Sequence, residues 1–169
     1  MTDDPTIRRY QPGDEAALRE LQRVALTDAG AYFGEGAVDE DLGRVESVYL
    51  DAGGEFLVAE VDGNIVGSGA LRRPSEIVDG LSDNVDAVAE LKRFYVHPEY
   101  HRRGIGRALY DELERHARDR GREVLVLETT ARQTPARRFY ESRGFEERRR
   151  ESGEAEGERY EVLTYRKVL

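Results

Sequence analysis

Residues 89–121 read AELKRFYVHPEYHRRGIGRALYDELERHARDRG. An apolar strand runs into a short turn rich in arginine and glycine, and an amphipathic helix begins at the glycines. The first N–H groups of a helix have no partner within it and, with the helix dipole, attract phosphate. Gly104 and Gly106 carry no Cβ and let those amides approach a bulky anion. From Lys92 to Arg122 there are nine Lys or Arg against five acids, although the whole chain has a net charge of -9. A local positive excess in an acidic protein points to a polyanionic ligand. All three histidines, His97, His101 and His116, lie in the same stretch.

The 169 residues fit one domain, 1–169, with a core of its own. An apolar fraction of 38% is low, but apolar runs recur, so the composition describes a folded domain with a heavily charged surface. The chain has no cysteine, which removes disulfides and thiolate chemistry, and its scattered histidines give no metal site. No apolar run is long enough for a membrane span, and residues 1–5 lack the basic and apolar regions of a signal peptide. A cytoplasmic protein is expected. Nearly all its bases are arginine, and Asp and Glu total 35, as in a halophile-like surface adapted to a salt-rich cytoplasm or as in acidic drift of a GC-rich genome.

Working outward from the central stretch, residues 6–10 form a strand, and a helix follows with Asp14 as N-cap and Leu18, Leu21, Val24 and Ala25 on one face. Residues 30–36 are a loop holding Tyr32 and Phe33, and residues 38–50 read as a second, weaker helix. Two apolar runs, 55–61 and 65–71, are joined through Asp62-Gly63-Asn64 as a hairpin. Residues 73–86 are a surface loop. In the strand 88–96 the alternation fails, with Lys92 and Arg93 adjacent and Phe94, Tyr95 and Val96 consecutive, which predicts a bulge.

The helix after the glycines carries Ile105, Ala108, Leu109, Leu113 and Ala117 on one face and ends at Gly121. Residues 122–128 are a buried strand parallel to the one before the helix. A short helix spans 134–143, with Thr134 as N-cap, Pro135 in the first turn and Gly144 after its end. Residues 146–152 and 160–168 close the chain as a hairpin around a turn with Gly153 and Gly157, its charge run a solvated face.

In this order, YVHPEYHRRGIGRAL and the later RRFYESRGF resemble the motifs of the GCN5-related N-acetyltransferase superfamily. Its pattern is Gln or Arg, two residues, Gly, one residue, then Gly or Ala; here His101 stands where Gln or Arg is usual. The resemblance covers essentially the whole chain and implies an α/β fold, a mixed, mostly antiparallel split sheet flanked by helices. It also implies acetyl-CoA as co-substrate and an amine as acceptor.

The resemblance assigns the coenzyme's pyrophosphate to the amides of Arg103, Gly104, Ile105, Gly106 and Arg107, with His101 in the same turn and charge from Arg102 and Arg103. The pantetheine arm would pair with the exposed backbone of Phe94, Tyr95 and Val96. An amide there, that of Val96, would stabilise an oxyanion. Gln133 stands where the family often has an Asn contacting the coenzyme. Arg137, Arg138 and Arg143 are further phosphate candidates. Tyr140 is the candidate acid for the thiolate and Glu90 the candidate base for the acceptor ammonium.

The expectation is an acetyl-CoA-dependent N-acetyltransferase acting by direct attack, since no cysteine is present to carry the acetyl group. Its acceptor is open among a small amine, an amino acid and a protein N-terminus. The alternatives are an inactive acyl-CoA sensor or dimerisation module of the same fold, or another phosphate binder sharing the glycine turn. Acidity argues against nucleic acid as partner. No metal and no membrane partner are expected, and a homodimer through the last strands is compatible with the pattern.

Overall fold

The computed structural model describes residues 4–32, 37–74 and 80–169, the side chains of residues 37–39 excepted. Phe33 and part of the loop 73–86 therefore lie outside the described residues. The strands are β1 Thr6–Arg9, β2 Glu55–Val61, β3 Asn64–Arg72, β4 Val88–Val96, β5 Val124–Thr130, β6 Glu146–Ala155 and β7 Glu158–Val168. They form one sheet in the order β1-β2-β3-β4-β5-β7-β6. Among the described residues three α-helices flank it, α1 Glu15–Asp28, α2 Ile105–Asp119 and α3 Thr134–Ser142. The fold is thus mixed α/β with a mostly antiparallel sheet, as the motifs imply.

The period-two alternation along the strands sends their side chains to two different cores. Leu57, Ala59 and Val61 of β2 join Leu125 and Leu127 of β5, Ile105, Leu109 and Leu113 of α2, and Tyr140 of α3. Phe56 and Val58 of β2 and Ala70 of β3 pack on the other face with Leu18 of α1, Leu42, Val45 and Tyr49. Close seating of α2 depends on glycine in β3. A Cβ at Gly67 would fall 2.9 Å from Leu109 Cδ1, and one at Gly69 would fall 2.7 Å from Leu113 Cδ1.

The sheet opens in its middle. β4 and β5 are parallel and pair only at Val88, Ala89 and Glu90 against Val124, Leu125 and Val126. Beyond Glu90 the strands part, while β5 stays paired with β7 as far as Thr130. The β5-facing edge of residues 91–96 has no strand on it among the described residues.

Several local expectations are corrected. Asp14 does not cap α1 with its side chain; it ends a 3-10 turn, Pro12–Asp14, and its carboxylate accepts from the Gln11 N–H and from Arg8. A ready cation one strand away outcompetes the helix amides. Residues 38–50 do not form one helix but a 3-10 segment, Ala37–Gly43, and a π turn, Glu46–Leu50. Gly43, a poor helix former, separates them. Thr134 is the first residue of α3, and Gln133 is its N-cap. The last hairpin turns at Glu156 and Gly157, both with positive φ; Gly153 instead sits inside β6 under the Tyr160 ring, where a Cβ would clash.

Candidate active site

The predicted bulge is present in β4. Ser68 and Ala70 oppose Tyr95 and Lys92, so β4 spends one residue more than β3 over that interval. Arg93 takes up the excess with φ +54, a left-handed conformation that needs outside support. Ser68 Oγ supplies part of it by donating to the Arg93 carbonyl at 2.6 Å. The guanidinium supplies the rest, donating through Nη1 to Gln22 Oε1 at 2.7 Å and through Nε to Asp41 Oδ2 at 3.0 Å, with Nη2 on Asp41 Oδ1. Tyr49 donates its hydroxyl to the same carboxylate. Burial alone would push the Asp41 carboxyl up; the adjoining Arg93 overrides it and holds the group below the ordinary carboxylate range.

Past the bulge the ladder re-forms, and the His97 N–H donates to the Val66 carbonyl at 2.8 Å. With Val96 opposite Gly67, antiparallel alternation turns the N–H and C=O of Val96 away from β3, toward the opening. His101 Nε2 lies 3.0 Å from that C=O. Phe94 stacks on Phe139, at 5.4 Å between centroids, and reaches Tyr140 at 6.0 Å.

The turn between β4 and α2 then curls sharply. Arg102 has φ +63, and Gly104, the N-cap of α2, has φ +79. The first intrahelical bond is Ala108 N–H to Gly104 C=O at 3.0 Å, so the amides of Ile105, Gly106 and Arg107 have no helical acceptor. Arg103 lies over the Tyr100 ring at 4.8 Å. None of Arg102, Arg103 and Arg107 makes an ion pair among the described residues. Of the other arginines considered, Arg137 is engaged with the Tyr165 hydroxyl and the Ala131 carbonyl, and Arg143 with Asp111; Arg138 makes no ion pair or side-chain hydrogen bond among the described residues.

A cleft occupies the gap between β4 and β5, lined by Leu91 to Tyr95, Glu128, Thr129, Gln133 and Tyr140. Tyr140 is buried, its hydroxyl without a hydrogen bond among the described residues. Burial, and then the neighbouring Tyr95, push the phenol well above its ordinary value, so it keeps its proton throughout the physiological range. Gln133 Nε2 donates to Thr130 Oγ1 at 3.3 Å. Thr129 Oγ1 is a buried polar atom with no hydrogen-bond partner among the described residues. Glu90 is elsewhere: it is 1% exposed, accepts from Arg72 Nε at 2.8 Å, and sits one register step below the cleft rather than on its wall.

Of the residues that line this cleft, sequence reasoning named Phe94, Tyr95, Gln133 and Tyr140 and passed over Leu91, Lys92, Arg93, Glu128 and Thr129 as wall residues. Register was the missing signal. Lys92 and Glu128 each lie two residues beyond a matched pair of β4 and β5, and Thr129 follows at the end of a strand read as stopping at 128.

Comparisons with known proteins agree with this geometry. The model of the acetyltransferase (GNAT) family matches residues 16–145. Aminoglycoside N(6')-acetyltransferase type 1 of Stenotrophomonas maltophilia is 31% identical over 147 residues, 86% of this chain and 89% of that protein. IAA acetyltransferase of Azospirillum brasilense is 34% identical over 143 residues, 85% of each. Among solved structures, yncA of Salmonella typhimurium, determined with its cofactor acetyl-CoA, superposes with a TM-score of 0.78 at 24% identity over 98% of this chain and 94% of that one.

Proposed function

Since the chain belongs to the acetyltransferase (GNAT) family, we propose that it moves the acetyl group of acetyl-CoA to a primary amine by direct attack, as a single domain without a metal. One observation carries the reading: the edge of β4 that no described strand covers leads straight into the α2 amides that have no helical acceptor, so a single ligand with an amide-bearing arm and a phosphate end fits both. The orphaned Thr129 hydroxyl in the same cleft fits such a ligand too, because a buried polar atom left alone is costly.

Acetyl-CoA supplies an activated thioester when bound. The amides of Arg103 to Arg107 receive its pyrophosphate, and Arg102, Arg103 and Arg107, which make no ion pair among the described residues, add charge-assisted bonds. His101 holds the Val96 carbonyl and thereby fixes the peptide whose neighbouring N–H faces the cleft. Phe94, Tyr95 and Val96 offer the arm their backbone, and the Val96 N–H donates to the carbonyl oxygen as it gains charge. Gln133 contacts the arm from the β5 side. Tyr140 gives its proton to the sulfur as the C–S bond breaks.

Glu90 takes the ammonium proton through a water, which lets the nitrogen lone pair attack the thioester carbon. Arg72 Nε donates to Glu90 at 2.8 Å and holds it in place. The second nitrogen proton, shed as the amide forms, restores Tyr140. Overall, an ammonium and a thioester become an amide, a thiol and one proton.

The relatives carry names for acceptors as unlike as an aminoglycoside and IAA, so the acceptor is not inherited from them. The test is release of CoA thiol from acetyl-CoA across a panel of primary amines. Amine-dependent release with stoichiometric N-acetylated product is expected. Binding of acetyl-CoA with no release for any amine would replace the enzyme by a sensor of the same fold.

A further inference from the structure

The parallel register of β4 and β5 matches Val88 with Val124 and Glu90 with Val126. The next residues on the same face are Lys92 and Glu128, but the strands part before they can pair. They stand on opposite walls of one cleft. Their face is the one toward α1, because Lys92 is directly opposite Ala70, and Ala70 belongs to the core packed by Leu18 and Tyr49. Thr129, Tyr140 and Phe94 serve the other side, where α2 and α3 lie. Coenzyme groups and this charged pair therefore meet the cleft from opposite faces.

Neither Lys92 nor Glu128 makes a hydrogen bond or an ion pair among the described residues, in a chain where charged neighbours pair readily. Around them, Arg72 holds Glu90 at 2.8 Å and Arg93 holds Asp41. Lys167, the other lysine, is on Glu114 at 2.5 Å. Lys92 is half-buried, and Glu128 stands exposed on the facing wall of the cleft. Burial pushes the Lys92 ammonium down, with Glu90 opposing and Arg72 and Arg93 adding to it. Burial also pushes the Glu128 carboxyl up, Glu90 adding and Lys92 opposing. Charges held in this way, an acid and a base across one opening, stabilise a ligand that brings both missing partners.

We infer that Lys92 and Glu128 select the acceptor, an amine that also bears a carboxylate, the α-amino acid being the simplest member of the class. Glu128 accepts hydrogen bonds from the ammonium and Lys92 donates to the carboxylate. The nitrogen is thereby placed above Glu90 on the α1 side of the thioester. This rests on the acetyltransferase reading. It assigns recognition to the pair and leaves the proton path as described.

The experiment compares an equimolar pool of protein amino acids with the matching pool of their α-amides, following CoA release and acetylated products by mass spectrometry. Acetyl-CoA binding is measured in parallel by calorimetry. The amino-acid pool is expected to react at least about tenfold faster at limiting concentration, a factor worth about 1.4 kcal/mol. Lys92→Met should erase most of that preference and Lys92→Arg restore it, both still binding acetyl-CoA. Glu128→Gln should raise KM for both pools. Equal use of the amides, retention of the preference by Lys92→Met, or binding of acetyl-CoA with neither pool acetylated would each overturn the inference. Failure of the wild-type protein to bind acetyl-CoA would overturn it together with the reading beneath it.

Discussion

His101 Nε2 lies 3.0 Å from the carbonyl oxygen of Val96, so the side chain that opens the arginine–glycine turn is bonded to the end of β4. The turn and the strand edge are thereby one unit. Replacing His101 by Ala should free that carbonyl and loosen the edge that a pantetheine arm would pair with. A several-fold weaker Kd for acetyl-CoA is expected, with His101→Gln closer to wild type. Calorimetry checks both, and an unchanged affinity in the Ala variant would detach the turn from the strand.

Thr129 presents the reverse case, a group that costs the fold something. Its buried hydroxyl has no partner among the described residues, and such a group carries a penalty of about 1–3 kcal/mol. Thr129→Val keeps the shape and removes the polar atom. The variant should melt higher than wild type while binding acetyl-CoA more weakly. Stability and affinity moving in the same direction would contradict the assignment.

At Gly104 the backbone, not space, is decisive. Its φ is +79, and a Cβ there meets nothing within 4 Å. Gly104→Ala therefore pays only the left-handed penalty, roughly 1–2 kcal/mol, visible in a urea titration. Gly106 has no positive φ, and its Cβ would make ordinary contact with Val96 at 3.7 Å. Gly106→Ala should fold as well as wild type.

Tyr140 keeps its proton because burial disfavours the phenolate, which is what a donor to a thiolate requires. Tyr140→Phe deletes a hydroxyl that bonds to nothing in the described fold. Melting and acetyl-CoA affinity should stay near wild type while kcat falls on the order of 10²-fold. An undiminished kcat would remove Tyr140 from the chemistry.

Acid should unfold the protein through a small set of carboxylates. Asp14 is lowered by hydrogen bonds from Arg8; Asp41, Glu55 and Glu114 are raised by burial but lowered further by Arg93, Arg9 and Lys167. A carboxylate whose folded pKa is depressed stabilises fully above its unfolded value and loses that contribution as pH falls through the folded one. Glu128, raised instead, works in the opposite sense. The urea midpoint should hold near neutrality and drop below about pH 4.5, where unfolded carboxylates begin to take up protons.

What was legible in the sequence divides along physical lines. The turn could be read because Gly104 and Gly106 sit at a strand-to-helix junction, a local feature. The bulge could be read because Lys92-Arg93-Phe94 breaks a period of two. Neither the Arg93–Asp41 pair nor the Lys92–Glu128 opposition could be. The first joins residues 52 apart, and the second exists only through the register of two strands separated by a helix. Asp14 misled for a related reason, as its competitor Arg8 enters only when β1 is folded beside the turn.

The central claim is that the edge of β4 and the start of α2 hold one ligand, and calorimetric titration with acetyl-CoA, with ATP as control, tests it most directly. Saturable one-to-one binding of acetyl-CoA, with ATP markedly weaker, is the predicted result. No binding by the folded protein, or ATP binding as tight as acetyl-CoA, would contradict the account.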